Sequence, residues 1–346
     1  MHDHEEHDEQ DSGGGAAAPA RAKLFLEGRY RKLCRDLPQT VFYCPECKGH
    51  PRRRRGCARC EGFGKLTRDS VQELVGWVAG KAFGTRKHKF HGAGREDVDV
   101  RMLGEGRPFV LELLGPRTFQ VDLAALEAEI NRRNEGRLEV RGLHWTERQR
   151  VVVLKETPHA KEYEARVAVE LAPGDPRAAQ ALAAARALVG TRHTIIQHTP
   201  ERVAHRRADK DRERWIEFLS VELEPEVEPE VAPAPALDAA PELDAAPALD
   251  AAPALDPAAA TAAANGADAA PARTYWRVRL RTQHGTYVKE VLSGDSGKTR
   301  PCLAEWIGAP CRCVELDVTA ILDEHGGAEE VVEPAPADDA PFGTGI

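Results

Sequence analysis

HKFHGAGREDVDVRMLGEGRPF, residues 88–109, is the stretch of this 346-residue chain that says most about its fold and chemistry. Its glycines, at positions 92, 94, 104 and 106, surround a dense group of charges. That group consists of Arg95, Glu96, Asp97, Asp99, Arg101 and Arg107. The composition favours a loop over a packed strand, and loops often carry functional side chains. Guanidinium groups favour the ionised form of a nearby carboxylate, so the pattern fits either a reactive site or a structural cluster of ion pairs.

Helical and extended patterns flank this stretch on both sides. A helix is predicted from Ser70, where Ser70 and Glu73 form a capping box and apolar residues follow at helical spacing. Further helices are predicted over 122–134 and, after Pro176, over 176–189. Strands are predicted at 109–114, 138–143, 163–171, 193–198, 214–223, 274–282 and 313–319. This mixture predicts an α+β fold with a mixed, mostly antiparallel central sheet.

Four cysteines before this region have metal-ligand spacing. Two CxxC pairs, Cys44–Cys47 and Cys57–Cys60, are separated by nine residues. Two such pairs fit the tetrahedral coordination of a structural Zn²⁺, and the glycines that follow each pair permit the tight turns of a zinc knuckle. Four thiolates leave no open position for catalysis. The alternative is four free thiols that lie close by chance. The unpaired cysteines, Cys34, Cys302, Cys311 and Cys313, are expected to be inert.

The loop between the two cysteine pairs is strongly basic. Arg52, Arg53, Arg54 and Arg55 are consecutive there. A loop held by a metal and carrying four guanidinium groups is suited to contact phosphates. The alternative is a solvated run of charges.

The net charge of −8 conceals a basic body. Residues 1–12, 222–272 and 323–346 hold 24 of the 56 acids and no Lys or Arg, so the remainder holds 32 acids and all 48 Lys and Arg. A basic body favours a polyanionic partner such as nucleic acid. Residues 1–23 and 323–346 are predicted to be disordered acidic segments, and 224–272 a low-complexity Ala/Pro/Asp/Glu loop with a six-residue repeat.

No apolar targeting stretch or membrane-length apolar run occurs in the sequence, so we expect a cytoplasmic protein without membrane contact. Thiols stay reduced in that compartment, which agrees with metal binding by the paired cysteines.

The segment Gly94–Arg101, GREDVDVR, resembles the active-site motif of the archaeal-type tRNA pseudouridine-54/55 synthase family, the tenth family of pseudouridine synthases. Three further stretches are similar to motifs of that family, and all four occur in the family's order over residues 24–223 and 273–322. They are EGRYRKL (27–33) with LPQT (37–40), TPERVAHRRAD (199–209), and GTYVKE (285–290) with SGD (293–295).

The resemblance implies a zinc-binding module at 24–68 and a pseudouridine synthase catalytic domain at 69–223 and 273–322. It implies one essential aspartate and no organic cofactor. Asp97 is identified as that catalytic residue, with Asp99 as the nearby alternative. The implied isomerisation cleaves the uridine N1–C1′ bond and rejoins the base through C5, after the base has left its stack. The carboxylate either attacks C1′ or removes the 2′ proton.

Three other positions acquire roles only through the resemblance. Tyr163 matches an active-site tyrosine that stacks on the base; the alternative is a packed strand residue. Lys289 matches the basic residue that pairs with the catalytic aspartate; the alternative is a surface lysine on a strand edge. Val291 would form an apolar floor under the base.

The implied substrate is tRNA, bound through its T-loop. The arginines expected to contact it are Arg95, Arg101, Arg202, Arg206 and Arg207. Phosphate contacts would place the RNA, while its shape and the flipped base would give selectivity. A monomer is expected.

The chain departs from the family at its N-terminal side, where 43 residues precede Cys44. We therefore expect most of the family's N-terminal RNA-binding domain to be lacking. One alternative function is a non-catalytic tRNA-binding or tRNA-folding protein on the same scaffold. A second is a protein-chaperone zinc module, which would bind unfolded protein with little salt dependence, whereas RNA binding depends steeply on salt.

Overall fold

The computed structural model describes residues 22–204, 207–225 and 273–322. These residues form two compact units. Of the described residues, those up to Pro158 and those from Thr319 onward belong to unit 1, and those between His159 and Val318 belong to unit 2. The structure is a mixture of helices and mostly antiparallel strands, as the sequence predicts.

The described residues of unit 1 contain four complete strands and four helices. The strands are β1 (Lys23–Lys32), β2 (Lys87–Gly92), β3 (Arg101–Leu114) and β4 (Leu138–Thr146). Strand β1 pairs antiparallel with β3 on one side and β4 on the other, and β2 pairs antiparallel with β3. The helices are α1 (Pro51–Arg54), α2 (Val71–Ala82), α3 (Leu123–Arg133) and α4 (Arg148–Glu156).

Unit 2 contains a second run of antiparallel strands. They are β5 (Lys161–Val169), β6 (Arg192–Gln197), β7 (Arg212–Leu223), β8 (Thr274–Thr282) and β9 (Thr299–Arg300), in the spatial order β5-β8-β7-β6-β9. Strand β10 (Cys311–Ile321) lies beside β5, and its last three residues belong to unit 1. The helices are α5 (Pro176–Ala187), α6 (Glu201–Ala204), α7 (Val288–Ser293) and α8 (Leu303–Ile307).

The predicted start of helix α2 is confirmed in detail. The Ser70 Oγ accepts a hydrogen bond from the Glu73 amide at 3.3 Å and donates to the Glu73 carboxylate at 2.8 Å, which is the reciprocal pattern of a capping box. The predicted apolar face, Val71, Leu74, Val75 and Val78, is buried. Helices α3 and α5 also begin where the sequence places them, each capped by an aspartate, Asp122 and Asp175.

The prediction of a loop over residues 88–109 is wrong at both ends. Residues 87–92 form β2 and residues 101–114 form β3, so the loop is confined to 93–100. Glycine serves here to let strands approach closely: a Cβ on Gly106 would lie 2.7 Å from the backbone oxygen of Tyr30 on β1. Two further strands, β1 and β9, and five further helices, α1, α4, α6, α7 and α8, are additional to the sequence prediction. Lys289 lies on α7, so its alternative placement on a strand edge is wrong.

The segments predicted to be disordered lie outside the described residues, except at their margins. There, Lys23 begins β1, and Glu224 forms an ion pair with Arg166 at 2.7 Å. Within the described residues, no helix combines the length and the apolar character needed to cross a membrane.

Candidate active site and metal centre

The loop that carries Asp97 joins β2 to β3 in unit 1 and is anchored at both ends. The amide of Ala93 donates to the backbone oxygen of Pro108 at 3.0 Å, and the amide of Val100 closes a turn by donating to the backbone oxygen of Asp97 at 3.2 Å. Gly94 has a φ of 80°, a conformation that glycine adopts without strain. The loop is therefore shaped by its own backbone bonds before any side chain is considered.

A buried ion pair lies directly beside the candidate catalytic residue. The Nε of Arg107 on β3 lies 2.9 Å from the Oε2 of Glu96, and both side chains are only 1% exposed. The same guanidinium donates through Nη1 to the backbone oxygen of Ala93 at 2.7 Å. Two charges this deep in a protein require each other, because either one alone would be strongly disfavoured in an apolar interior. The pair thus connects the loop at residues 93 and 96 to β3.

Tyr30 on β1 makes hydrogen bonds to the same buried cluster. Its hydroxyl donates to the two carboxylate oxygens of Glu96 at 2.9 and 3.0 Å and accepts from the Nε2 of Gln39 at 2.8 Å. Gln39 also donates to the backbone oxygen of Gly94 at 2.9 Å. Burial, together with the charge of Glu96, raises the pKa of Tyr30 well above its usual value, so the phenol stays protonated and remains a donor.

A buried lysine holds the backbone of the loop. The Nζ of Lys32 on β1 donates to three backbone oxygens, those of Leu37, Asp97 and Val98, at 2.9, 3.0 and 2.8 Å. Burial lowers the pKa of Lys32, and the charge of Glu96 acts in the opposite direction. Three carbonyl acceptors match the three donors of an ammonium group, so this side chain fixes the main chain on both sides of the Asp97–Val98 peptide.

The candidate residues of the loop differ in exposure. Asp97 and Arg101 are half-buried, while Arg95 and Asp99 are exposed. Arg35 donates to the backbone oxygen of Asp99 at 3.0 Å. Sequence reasoning gave no role to the buried supports Tyr30, Lys32 and Gln39, although all three lie within the motifs at 27–33 and 37–40. It placed Arg107 in the charged group of residues 88–109 without identifying Glu96 as its partner.

In unit 2, Tyr163 and Lys289 lie on different elements. Tyr163 is a half-buried residue of β5, opposite Leu280 of β8 in the antiparallel register. Lys289 is half-buried in the first turn of α7, and Val291 on the same helix is fully buried.

A side-chain amide sets the start of α7. Gln197, at the end of β6, donates to the backbone oxygen of Tyr287 at 3.0 Å and accepts from the amide of Tyr287 at 2.9 Å. Gln197 is 1% exposed and also donates to Thr299 at 3.2 Å. Because Tyr287 is the N-cap of α7, this two-way pairing fixes where the helix carrying Lys289 begins.

The predicted basic loop follows β6. The guanidinium of Arg202 on α6 forms an ion pair with the buried Glu290 of α7, at 2.5 and 3.3 Å. Arg207 is exposed, and Arg206 lies outside the described residues. The hydroxyl of buried Thr199 donates to the backbone oxygen of Ala208 at 2.7 Å and accepts from Arg212 at 2.8 Å, so the loop returns to the sheet at a fixed place.

The four paired cysteines come together in unit 1. The Sγ atoms of Cys44, Cys47, Cys57 and Cys60 all lie within 4.8 Å of one another, with Cys44–Cys57 at 3.7 Å and Cys47–Cys60 at 3.6 Å. Tetrahedral zinc with Zn–S bonds of about 2.3 Å requires sulfur–sulfur distances of about 3.8 Å, so the donor set fits a structural metal site. Gly49, Gly62 and Gly64 have φ of 71°, 83° and 84°. The glycines thus supply the knuckle turns that the sequence predicts.

The basic residues of this module are on its surface. Arg52, Arg53 and Arg54 form α1, Arg55 is its C-cap, and all four are exposed. Phe63, at 50% exposure, and Tyr43, at 55%, lie in the same module. Guanidinium groups and aromatic rings are therefore available together on this module.

Comparison with known proteins matches this chain to the family described as "Pus10, C-terminal", over residues 25–231 and 264–322. The match covers well over half of the chain. The chain belongs to this family.

Curated relatives of the Pus10 C-terminal family carry the name "tRNA pseudouridine synthase Pus10". The relative from Methanopyrus kandleri is 37% identical over 304 residues, which are 88% of this chain and 57% of that protein. The relative from Methanothermobacter marburgensis is 39% identical over 300 residues, 86% of this chain and 60% of that protein. The relative from Archaeoglobus fulgidus is 36% identical over 298 residues, 86% of this chain and 67% of that protein.

This member of the Pus10 C-terminal family spans between 52% and 60% of the length of the first three relatives that it matches. Among solved structures, a chain of "Crystal Structure of a Cbf5-Nop10-Gar1 Complex" aligns with a TM-score of 0.32 and 16% identity, over 72% of this chain and 45% of that chain. A likeness of that size does not bear on fold or function.

Proposed function

We propose that this chain isomerises uridine to pseudouridine in the T-loop of tRNA, at position 54, position 55 or both, with Asp97 as the catalytic carboxylate. The observation that carries the proposal is the support beneath the Asp97 loop. Lys32 holds the backbone oxygens of Asp97 and Val98, and the buried Glu96–Arg107 pair lies beside them. A reacting group must be held in a defined geometry, and rigid supporting contacts provide it.

The family match and the names of the relatives support the reaction class. Those relatives are named as tRNA pseudouridine synthases, and they align with 85–88% of this chain at 37–39% identity for the first three. The proposal carries their named activity over to this chain.

The chemistry asks for one carboxylate and no organic cofactor. The N1–C1′ bond breaks, the base turns within the site, and a C5–C1′ bond forms as the C5 proton is lost and N1 regains one. No atom or electron is gained overall. Asp97 either attacks C1′ to form a covalent intermediate or removes the 2′ proton to release the base, and an ionised carboxylate serves both routes.

Roles for Tyr163, Lys289 and Val291 follow from the motif resemblance. Tyr163 would stack on the flipped uracil and assist proton transfer at C5. Lys289 would hold the catalytic carboxylate ionised and oriented. Val291 would form the apolar floor beneath the base; in the structure it is fully buried on α7.

RNA positioning is assigned to the basic residues. Arg95 and Arg101 would contact the RNA beside the reacting base, and Arg202, Arg206 and Arg207 would grip the phosphate backbone that leads to the T-loop. Arg202 already pairs with Glu290, so its guanidinium would offer the RNA only donors that this pair leaves over. A preoriented guanidinium loses less entropy on binding phosphate than a mobile one.

We assign a structural Zn²⁺ to the four cysteines and phosphate contacts to Arg52–Arg55 on the same module. The metal would fix the backbone around α1 and so present the arginines together. We further propose that the protein acts as a monomer in the cytoplasm, where its tRNA substrate is found.

The test is in vitro modification of an unmodified tRNA transcript, with pseudouridine mapped chemically at every uridine. Wild type is expected to modify the T-loop, and Asp97→Asn to form no product while it still binds the RNA. Asp99→Asn is the matched control, since the same change two residues away should leave product formation intact. Loss of activity in Asp99→Asn but not in Asp97→Asn would reassign the catalytic residue. No product from wild type, despite salt-sensitive tRNA binding, would favour a non-catalytic tRNA-binding protein.

A further inference from the structure

A groove in unit 1 lies at the opposite end of the β2–β3 pair from the Asp97 loop. It encloses about 1090 Å³ between the C-terminal half of α2 and the residues around the start of β2 and the end of β3. Trp77, Lys81, Arg86, Lys87, His88 and Arg117 contribute its polar and aromatic lining.

The lining is cationic and lacks any carboxylate. Lys81, Arg86, Lys87 and Arg117 are all exposed, and within the part of the chain that the structure describes none of them is ion-paired with an acid. This differs from α3 nearby in sequence, where Arg132 and Arg133 both pair with Glu129. Four unneutralised cations in one concave surface attract a polyanion.

Trp77 adds an aromatic surface to these charges. It is 54% exposed on α2, although the other large apolar residues of that helix face the core. Exposed tryptophan beside a cationic groove is the arrangement by which proteins hold single-stranded nucleic acid, since every base can stack on the indole ring and every phosphate can meet a cation. A binding site for a small inorganic anion would not require an exposed aromatic ring.

The groove is built by close backbone approach. A Cβ on Gly76 would collide with the imidazole of His88, and a Cβ on Gly80 would lie 2.6 Å from the backbone oxygen of Thr85. The Thr85 hydroxyl donates to the backbone oxygen of Leu114 at 2.7 Å, and the Arg117 amide donates to that of Phe83 at 2.9 Å. These contacts fix both walls before any ligand is bound.

The spacing relates the groove to the candidate active site. In the β2–β3 pair, Lys87 lies opposite Leu114 at the groove, and Gly92 lies opposite Phe109 beside the Asp97 loop. The two ends are five residue steps apart along β2, or about 17 Å. One RNA molecule can bridge that distance while its uridine occupies the active site.

We propose that this groove, formed by Trp77, Lys81, Arg86, Lys87 and Arg117, binds an unpaired segment of the RNA substrate, with one base stacked on Trp77 and the flanking phosphates on the cations. The inference rests on the proposed function for the identity of the RNA. The groove would be a second RNA-binding surface that contributes to affinity and not to the chemical step.

The experiment measures binding and turnover separately on the full chain. The variants are Trp77→Ala, its conservative partner Trp77→Phe, and the double variant Lys81→Ala/Arg86→Ala. The control is Arg132→Ala/Arg133→Ala, which removes the same charge from cations that Glu129 already neutralises. Binding to a fluorescent twelve-nucleotide oligouridylate and to an unmodified tRNA transcript is titrated at several salt concentrations, and circular dichroism confirms that each variant is folded.

We expect Trp77→Ala to weaken oligouridylate binding roughly tenfold, with much of it restored in Trp77→Phe, since stacking needs an aromatic face. The Lys81→Ala/Arg86→Ala variant should reduce the slope of log K against log[salt] by about 1.4, because each lost phosphate contact removes about 0.7 for a single strand. On tRNA, KM should rise while kcat stays near that of wild type.

Two results would overturn the inference. In the first, the groove variants bind both RNAs as the Arg132→Ala/Arg133→Ala control does. In the second, they lose affinity for a polyglutamate peptide and not for RNA, which would assign the groove to an acidic protein segment. If wild type forms no pseudouridine but the groove variants still lose RNA affinity, the proposed function fails while this inference stands.

Discussion

The Glu96–Arg107 pair offers the sharpest test of how the Asp97 loop is held. Both side chains are 1% exposed, so Glu96→Gln leaves a guanidinium buried without an opposite charge while the shape of the residue is kept. Removal of one partner of such a pair typically lowers the free energy of unfolding by about 3–5 kcal/mol. We expect that loss in unit 1 for Glu96→Gln, and a similar loss for Arg107→Met.

The double variant Glu96→Gln/Arg107→Met distinguishes an ion pair from two independent residues. It leaves no isolated charge, so its loss should fall short of the sum of the two single losses by roughly 1–3 kcal/mol. The glutamine side chain can still accept from the Tyr30 hydroxyl, which retains the hydrogen bond below the loop.

Denaturant unfolding gives the total stability of each variant. A chain with two compact units need not unfold in a single transition, so hydrogen exchange of peptides from β1 and β3 should be measured alongside to isolate unit 1. The exposed pair between Arg132 and Glu129 supplies the control, and Arg132→Ala should leave exchange in β1 and β3 unchanged. Additive losses from the two single substitutions, or losses below about 1 kcal/mol, would refute the argument that the buried pair holds this loop.

Three further predictions concern other parts of the molecule. Gln197→Ala should lower the free energy of unfolding of unit 2 by about 2–4 kcal/mol, because it leaves two backbone groups of Tyr287 without their hydrogen-bond partner. It should also lower kcat more than it raises KM. Hydrogen exchange at the start of α7 checks the first effect, and steady-state kinetics check the second. Elemental analysis is expected to find one equivalent of zinc, and either Cys57→Ser or a strong chelator should remove it and lower the melting temperature. Full metal retention in Cys57→Ser would refute a four-thiolate site. The hydrogen bond to Asp211 raises the pKa of His198 above 6.5, so the stability that this contact adds is present in full below pH 6.5 and is lost as pH rises through the higher folded pKa. NMR titration of the imidazole should give a midpoint above 6.5, and Asp211→Asn should bring that midpoint back toward 6.5.

Local signals made much of the fold predictable. The capping box at Ser70 specifies the start of α2 through two hydrogen bonds between neighbouring residues, and the CxxC spacing specifies a cluster of four sulfur atoms. Each of these features depends on residues close in sequence. A helix start or a cysteine cluster of this kind can therefore be predicted from a short segment, without knowledge of the rest of the chain.

The supports of the candidate site are non-local and were not predictable from pattern. Lys32 is the last residue of β1 and belongs to a residue type that is seldom buried, yet it is fully buried because backbone oxygens 65 and 66 residues away accept its hydrogen bonds. The sequence places Arg107 and Glu96 in one charged group and allows a cluster of ion pairs, but which two charges pair is visible only once the chain has folded. Charged residues are buried where they are paired, and pairing is a property of the tertiary structure.

The three hydrogen bonds from Lys32 to backbone oxygens affect how this site can change in evolution. The ammonium donates to the backbone oxygens of residues 37, 97 and 98, and none of these three hydrogen bonds involves the side chain at position 97. Architecture and reactivity are therefore encoded by different residues. A population of variants could sample new side chains at position 97 while the loop keeps these three bonds, so this scaffold could gain, lose or alter its chemistry without first having to evolve a new fold.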